Sequence, residues 1–263
     1  MTIQATERSF RILETICDHG GARLEDLEEE LGIARSTLYR HLQTLTDCGY
    51  VVKKGEVYNL GVKFLHFGEY TRTRECGYRL AQETLRELET ETNEECEFIA
   101  ESGGRGILVH ESYHPDSTFQ DSSGPSDGGA AQVGSYYRLH NHAAGKAILA
   151  ELSDQRVEEI IDRWGLPPKT RNTITTEEEL WTELDQIRER GVASTDEEFT
   201  EGLREVAVSV INPDGTCLGS IAVFGPTYRI DDEMFTEYLP NQLQRHVSEL
   251  EASIKEEYLS NFT

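Results

Sequence analysis

Arg35, Ser36, Thr37, Tyr39, Arg40 and His41 lie on the sides of a predicted helix that Leu38, Leu42 and Leu45 leave open. These are cationic or short hydrogen-bonding side chains, the kind that reaches base edges and phosphate oxygens in a major groove. Lys53 and Lys54 follow at the tip of a predicted ribbon, where ammonium groups meet backbone phosphate. Residues 34–54 hold four Lys/Arg against one Asp, in a chain whose formal net charge is −24. We read Arg35, Ser36, Thr37, Tyr39 and Arg40 as groove-facing and Lys53 and Lys54 as phosphate contacts. The competing reading, a helical hairpin with merely solvated cations, leaves this local positive excess without a cause.

The elements that must hold these residues are legible around them. Leu24, Leu27 and Leu31 mark the inner face of one helix, and Gly32 suits the left-handed turn that ends it. The helix of Leu38, Leu42 and Leu45 follows, stopped at Gly49, and residues 50–58 read as two short strands about a Lys-Gly turn. An earlier helix, Glu7 to His19, is predicted to bury Phe10, Leu13, Ile16 and Cys17 and to close at Gly20-Gly21. Residues 1–61 are therefore predicted to form a winged helix-turn-helix. Residues 62–74 read as a linker helix whose Phe64, Leu65 and Phe67 have no obvious partner inside that module, which predicts a homodimer and leaves tetramers open.

Residues 75–263 form the remainder. A helix over about 75–92 turns Ala81, Leu85 and Leu88 inward. Strands are predicted at 96–100 and 106–110 and again at 206–211 and 218–224. Helices fall between them at about 143–152, 154–164 and 177–190, and one closes the chain over about 231–259. Residues 114–134, rich in Ser, Gly, Asp and Pro, read as a mobile surface loop. The fold class is α+β, with one sheet in the C-terminal part.

Charge and cysteines narrow the setting. Residues 1–74 hold 10 basic and 11 acidic side chains, so almost all of the acid excess lies beyond them. An excess spread through well-patterned helices suits a folded surface in a salt-rich, halophilic cytoplasm better than a disordered tail. Five scattered cysteines without a C-x-x-C pair fit a reducing compartment. Neither a membrane-spanning run nor a signal-peptide core is present in the sequence, so the expectation is a cytoplasmic protein without a membrane partner.

Three stretches together resemble the IclR family of transcriptional regulators. The first is Gly32-Ile33-Ala34-Arg35-Ser36-Thr37-Leu38-Tyr39-Arg40-His41-Leu42 with Tyr58-Asn59-Leu60-Gly61. The second is Leu139-His140-Asn141-His142-Ala143-Ala144-Gly145-Lys146-Ala147-Ile148-Leu149-Ala150, similar to the family's "LH-x-x-A-x-GKA-x-LA" element. The third runs from Arg190 to Glu198, with Gly202, Val206-Ala207-Val208 and Gly225-Pro226. A lone helix-turn-helix is a weak signal, whereas three elements in order are a strong one. The resemblance implies a winged helix-turn-helix, a linker helix and a GAF-like effector-binding domain, hence a regulator whose affinity for a double-stranded DNA operator responds to a small molecule. It implies an effector pocket at Tyr137, Ala143, Ala144, Thr195, Asp196, Glu205, Ala222 and Phe224. Ala222 and Phe224 offer no hydroxyl to a small acid, and Glu205 would repel one, so the expected ligand is uncharged or weakly charged, sugar-derived or aromatic. An anionic ligand would need a cation, with Lys146 or Arg204 nearest in sequence.

Other constellations carry less. His110, His114, His140 and His142 with Glu111 and Cys96 include metal-ligand types, but their spacing follows a strand and a loop rather than one helix face, so packing or surface histidines are expected and no metal. Gly145-Lys146 lacks the preceding glycines of a phosphate loop. Asp196-Glu197-Glu198 reads as a solvated acidic loop, and no nucleophile and base stand at a fixed spacing, so neither catalytic residues nor a cofactor are expected. An enzyme with an accessory helix-turn-helix and a ligand-independent architectural DNA binder remain the competing classes.

Overall fold

The computed structural model describes residues 2–113 and 132–260. Most of the predicted loop at 114–134, and His114 with it, lies outside the described residues. The chain divides into two compact units whose boundary falls between Arg72 and Thr73.

The first unit packs α1 (Gln4–Asp18), α2 (Leu24–Leu31) and α3 (Arg35–Asp47) around Ile12, Leu13, Ile16, Leu27, Leu38, Leu42 and Leu45. Strands β1 (Ala22–Arg23), β2 (Val51–Lys54) and β3 (Val57–Leu60) form a small antiparallel sheet in the order β1-β3-β2. Gly32 takes φ 61°, ψ 25°, the left-handed turn that separates α2 from α3. Gly61 is the closest backbone approach in this unit: a Cβ there would stand 2.4 Å from the carbonyl of Gly49. One predicted face is corrected. On α1 the buried stripe is Ile12, Leu13, Thr15 and Ile16, while Phe10 and Cys17 are exposed. Both stripes contain Leu13 and Ile16, and it is the sheet and α2 that decide the helix's rotation toward Ile12. Helix α4 (Lys63–Arg74) does have a partner inside the module: Tyr50 meets Phe64 at 5.3 Å and stacks on Phe67 at 5.9 Å between ring centroids. Val62, Leu65 and Tyr70 stay exposed, Leu65 at 73%.

The second unit is built on a six-stranded antiparallel sheet in the order β6-β5-β4-β9-β8-β7. These strands are β4 (Glu95–Ser102), β5 (Arg105–Ser112), β6 (Tyr136–Tyr137), β7 (Ala193–Asp196), β8 (Leu203–Ile211) and β9 (Cys217–Pro226). Pairing of β4 with β9 joins the two sequence-distant hairpins into one sheet. Helices α5 (Cys76–Thr92) and α9 (Leu239–Ser260) cover one face over Phe98, Val206, Val208, Ile221 and Val223. Helices α6 (Ala143–Glu151), α7 (Asp154–Trp164) and α8 (Glu177–Arg190) cover the other over Ile99, Leu108, Ala193, Ala207 and Ala222. Neighbours such as Ala207 and Val208, or Ala222 and Val223, thus serve opposite cores, which is why β8 and β9 read as nearly unbroken apolar runs. The closing helix is preceded by a π-helical turn, Met234–Tyr238. Pro240 near the start of α9 has no N–H to donate backward, which accounts for the irregular turn.

Candidate nucleic-acid interface and buried ligand site

In the first unit, burial of Leu38, Leu42 and Leu45 fixes which side of α3 faces out. Arg35, Ser36, Tyr39 and Arg40 are exposed and Thr37 is half-buried. Lys53 and Lys54 are exposed at the end of β2. Arg35 Nη1 stands 3.4 Å from Glu28 and Lys53 Nζ 3.6 Å from Glu56, both exposed pairs that cost little to exchange for phosphate. Arg40 and Lys54 make no ion pair among the described residues. His41 differs from its neighbours: its Nδ1 lies 2.8 Å from Ser9 Oγ, tying α3 to α1.

In the second unit, sheet register places the buried site. Ala193, Ala207, Ala222, Glu97 and Glu111 form one row across five strands. The three alanines let the start of α6 come down onto the sheet. Gly145 lets the preceding 3₁₀ turn, Leu139–Asn141, fold closely against the same helix, since a Cβ there would stand 2.3 Å from the Leu139 carbonyl. The first-turn amides of α6 then reach Glu205 on β8: Ala143 N–H donates to Oε2 at 2.9 Å and Ala144 N–H to Oε1 at 2.9 Å. His142 Nδ1 lies 3.0 Å from Glu205 Oε1, and the Thr195 hydroxyl donates to Oε2 at 3.4 Å. Glu205, 1% exposed, therefore holds the anion position that a helix N-terminus creates.

The electrostatics follow from burial. Desolvation alone would raise the Glu205 carboxyl, but the His142 charge and the amides of Ala143 and Ala144 outweigh it and hold it below the usual range. Desolvation would lower His142, and the Glu205 and Glu97 carboxylates reverse that and raise it. Glu97 lacks amides, so desolvation dominates and pushes it up to about 8. His140, buried with its Nε2 3.1 Å from the Pro167 carbonyl, is pushed down to about 4 by desolvation.

Seven of the eight residues implied by the resemblance gather around this centre; Asp196 does not. Thr195 points inward beside Glu205, so the next residue of β7 points the opposite way, and Asp196 is exposed and paired with Arg204 at 3.1 Å. Ala143, Ala144 and Ala222 are fully buried, and Tyr137 is buried beside the His142 ring, 4.6 Å between centroids. Phe224 sits opposite Glu205 in the β8–β9 ladder. The two cations nearest in sequence are both engaged, Lys146 with Glu198 at 2.6 Å and Arg204 with Asp196 and Asp232. Glu198 is thus no solvated loop carboxylate. It is buried, and Thr170 and Thr173 donate to its backbone carbonyl.

Four participants escaped sequence reasoning in this role. Glu97 lies in a strand whose pattern reads as core, and His142 reads as a packing histidine. Phe199 closes on Tyr137 at 5.8 Å and on His142 at 4.4 Å, and Lys169 Nζ lies 3.4 Å from the Phe199 ring centroid. Only register and tertiary folding bring these four together.

Comparisons with known proteins agree with both units. The family described as "IclR helix-turn-helix domain" matches residues 5–55, and "Bacterial transcriptional regulator IclR C-terminal" matches residues 78–252. The chain is 28% identical over 239 residues to the probable HTH-type transcriptional regulator ArcR of Halobacterium salinarum, covering 90% of this chain and 89% of that one. It is 28% identical over 240 residues to the HTH-type transcriptional regulator KdgR of Escherichia coli, covering 90% and 88%. The crystal structure of the Thermotoga maritima IclR superposes with a TM-score of 0.71 at 24% identity, over 96% of this chain and 99% of that one.

Proposed function

The chain belongs to the IclR family of transcriptional regulators, and from that premise we propose which residues do its work and what kind of molecule it senses. It is a DNA-binding regulator with a C-terminal effector-binding domain. Arg35, Ser36, Thr37, Tyr39 and Arg40 enter the major groove, and Lys53 and Lys54 contact phosphate. The outward side of α3 and the exposed pairs of Arg35 and Lys53 support this reading. The working form is a homodimer on a roughly palindromic site, with Val62, Leu65 and Tyr70 of the linker region as part of the dimer surface. It works in a cytoplasm, without turning its effector over, and its acidic surface suits high salt. Among the described residues no helix is long and apolar enough to cross a membrane.

The effector binds between the start of α6 and the sheet, against Tyr137, Ala143, Ala144, Thr195, Glu205, Ala222 and Phe224, with Asp196 at the rim. One observation carries the ligand class: the α6 amides that would grip a carboxylate already hold Glu205. A small acid would have to displace a buried anion, and Lys146 and Arg204 are committed elsewhere. A ligand with hydroxyls for Glu205 and an apolar or aromatic face for Tyr137 meets no such conflict. The test is a thermal-shift and operator-binding screen of neutral polyols, sugar lactones and phenols beside small carboxylates. Ala222→Trp should abolish the response to the selected compound and leave operator binding intact. A normal response in that variant puts the pocket elsewhere, and conversion of the compound during incubation makes the protein an enzyme.

A further inference from the structure

Glu97, His142 and Glu205 each present one ligand atom such that all three lie within 4.8 Å of one another, and all three residues are buried. His142 Nδ1 is 3.0 Å from Glu205 Oε1 and 3.5 Å from Glu97 Oε1. These separations match the edges of a coordination shell, because nitrogen and oxygen ligands about 2.0–2.2 Å from one tetrahedral cation stand roughly 3.4 Å apart. A second observation is independent of the clustering. Glu97 Oε1 has no hydrogen-bond partner, although Glu97 is only 3% exposed. Glu97 Oε1 is moreover aimed at the imidazole without being bonded to it. Orphaned polar atoms at such depth are uncommon and call for a ligand or ion.

We propose that Glu97, His142 and Glu205 bind a first-row divalent cation of the zinc or manganese type. Two carboxylates and a neutral imidazole balance its charge, which makes burial of this acidic cluster affordable. One nitrogen and two oxygens suit Zn²⁺ or Mn²⁺, and the thiol of Cys96, next to Glu97 in sequence, packs in the core on the opposite face of the sheet. Three protein ligands leave positions open, as in sites that receive an exogenous group rather than in closed structural ones. His142 is oriented for the task by Tyr137 and Phe199, whose rings flank its own. The cation would take the place of the His142–Glu205 hydrogen bond while Ala143 and Ala144 keep Glu205 in position.

The test uses the full-length protein, stripped with EDTA, dialysed metal-free and titrated with ZnCl₂ or MnCl₂ by calorimetry, with Co²⁺ as an optical probe. One ion per chain is expected, with a melting temperature raised by roughly 5–10 °C at a hundredfold excess over the dissociation constant. Glu97→Gln keeps the side-chain shape and removes a buried acid, so it should fold, and it should weaken binding at least about tenfold. His142→Gln should do the same, and His140→Gln, outside the cluster, should bind as the wild type. Absence of stoichiometric binding, or unchanged affinity in Glu97→Gln, overturns the proposal. Metal bound normally by a protein that answers to no effector would remove the effector reading and leave this one standing.

Discussion

Replacing Lys146 with Met removes one half of a buried ion pair and keeps the length of the stem. Lys146 is fully buried on α6, and its ammonium lies 2.6 Å from Glu198 in the segment that carries Phe199 over the buried cluster. Breaking a buried pair on one side costs about 3–5 kcal/mol, because the remaining charge stays desolvated. Here the loss is capped, since Glu198 can take up a proton. Burial already holds its carboxyl above the usual range with Lys146 beside it, and the variant should move it further up. The expected loss at pH 8 is therefore about 3 kcal/mol, or roughly 6–12 °C in melting temperature. The sign of the pH dependence follows. With the folded value above the unfolded one, the folded state holds the extra proton between them, so the variant's stability falls as pH rises from about 4.5 to the folded value, by about 1.4 kcal/mol per unit. Lys146→Met/Glu198→Leu should recover to within about 1 kcal/mol of the wild type. Urea melts of the four proteins of the cycle at pH 5 and pH 8 decide it. A double variant as unstable as the sum of the single ones, or a Lys146→Met loss equal at both pH values, would refute the reasoning.

Arg40→Ala should cost ~1–3 kcal/mol on the cognate operator and relax specificity at one base position, whereas Lys53→Ala should weaken all sequences about equally and reduce the salt slope by about one; fluorescence anisotropy across a salt series reads both. Leu65→Glu, at an exposed apolar position of α4, should shift the protein toward monomer in light scattering while leaving the circular dichroism spectrum unchanged. His140 is held near 4, below its unfolded value, so the unfolded chain takes the proton first and stability should drop as pH falls from about 6.5 toward 4, by ~1–3 kcal/mol. His140→Gln should flatten that part of the profile in thermal melts.

The DNA-binding side was legible because its determinants are local. Leucine spacing fixes the helix faces, Gly32 and Gly49 end the helices, and charge stands out against an acidic background, so Arg35 to Arg40 fall where the spacing puts them. Where two stripes overlapped, as on α1, local pattern misplaced Phe10 and Cys17, since only the packing partner selects the rotation. The ligand side is different in kind. Glu97 and Glu205 are separated by more than a hundred residues and meet only because β4 pairs with β9 and β9 with β8. No periodicity in sequence marks a carboxylate in an apolar strand as half of a site; it reads as a flaw in the pattern until the register is known.

Glu205 shows how one proposed exclusion can rest on two different physical causes. Sequence reasoning treated it as a negative charge that repels a small acid. In the fold its charge is largely neutralised by His142 and the first-turn amides of α6, so simple repulsion is a weak argument. The stronger objection is occupancy: the donors an acid needs are already used, and each would lose a charge-assisted hydrogen bond before gaining another. That distinction has a consequence for Glu205→Gln. Were repulsion the obstacle, the amide would admit small acids at once. With occupancy as the obstacle, the amide oxygen still accepts only part of what the carboxylate did, and its NH₂ faces a row of donors. Glu205→Gln should therefore destabilise the start of α6, seen as faster hydrogen exchange at Ala143 and Ala144, and added small carboxylates should leave that exchange fast, because the glutamine side chain still fills the position in front of the amides. Unchanged exchange in Glu205→Gln would show that the helix N-terminus does not depend on the anion it holds.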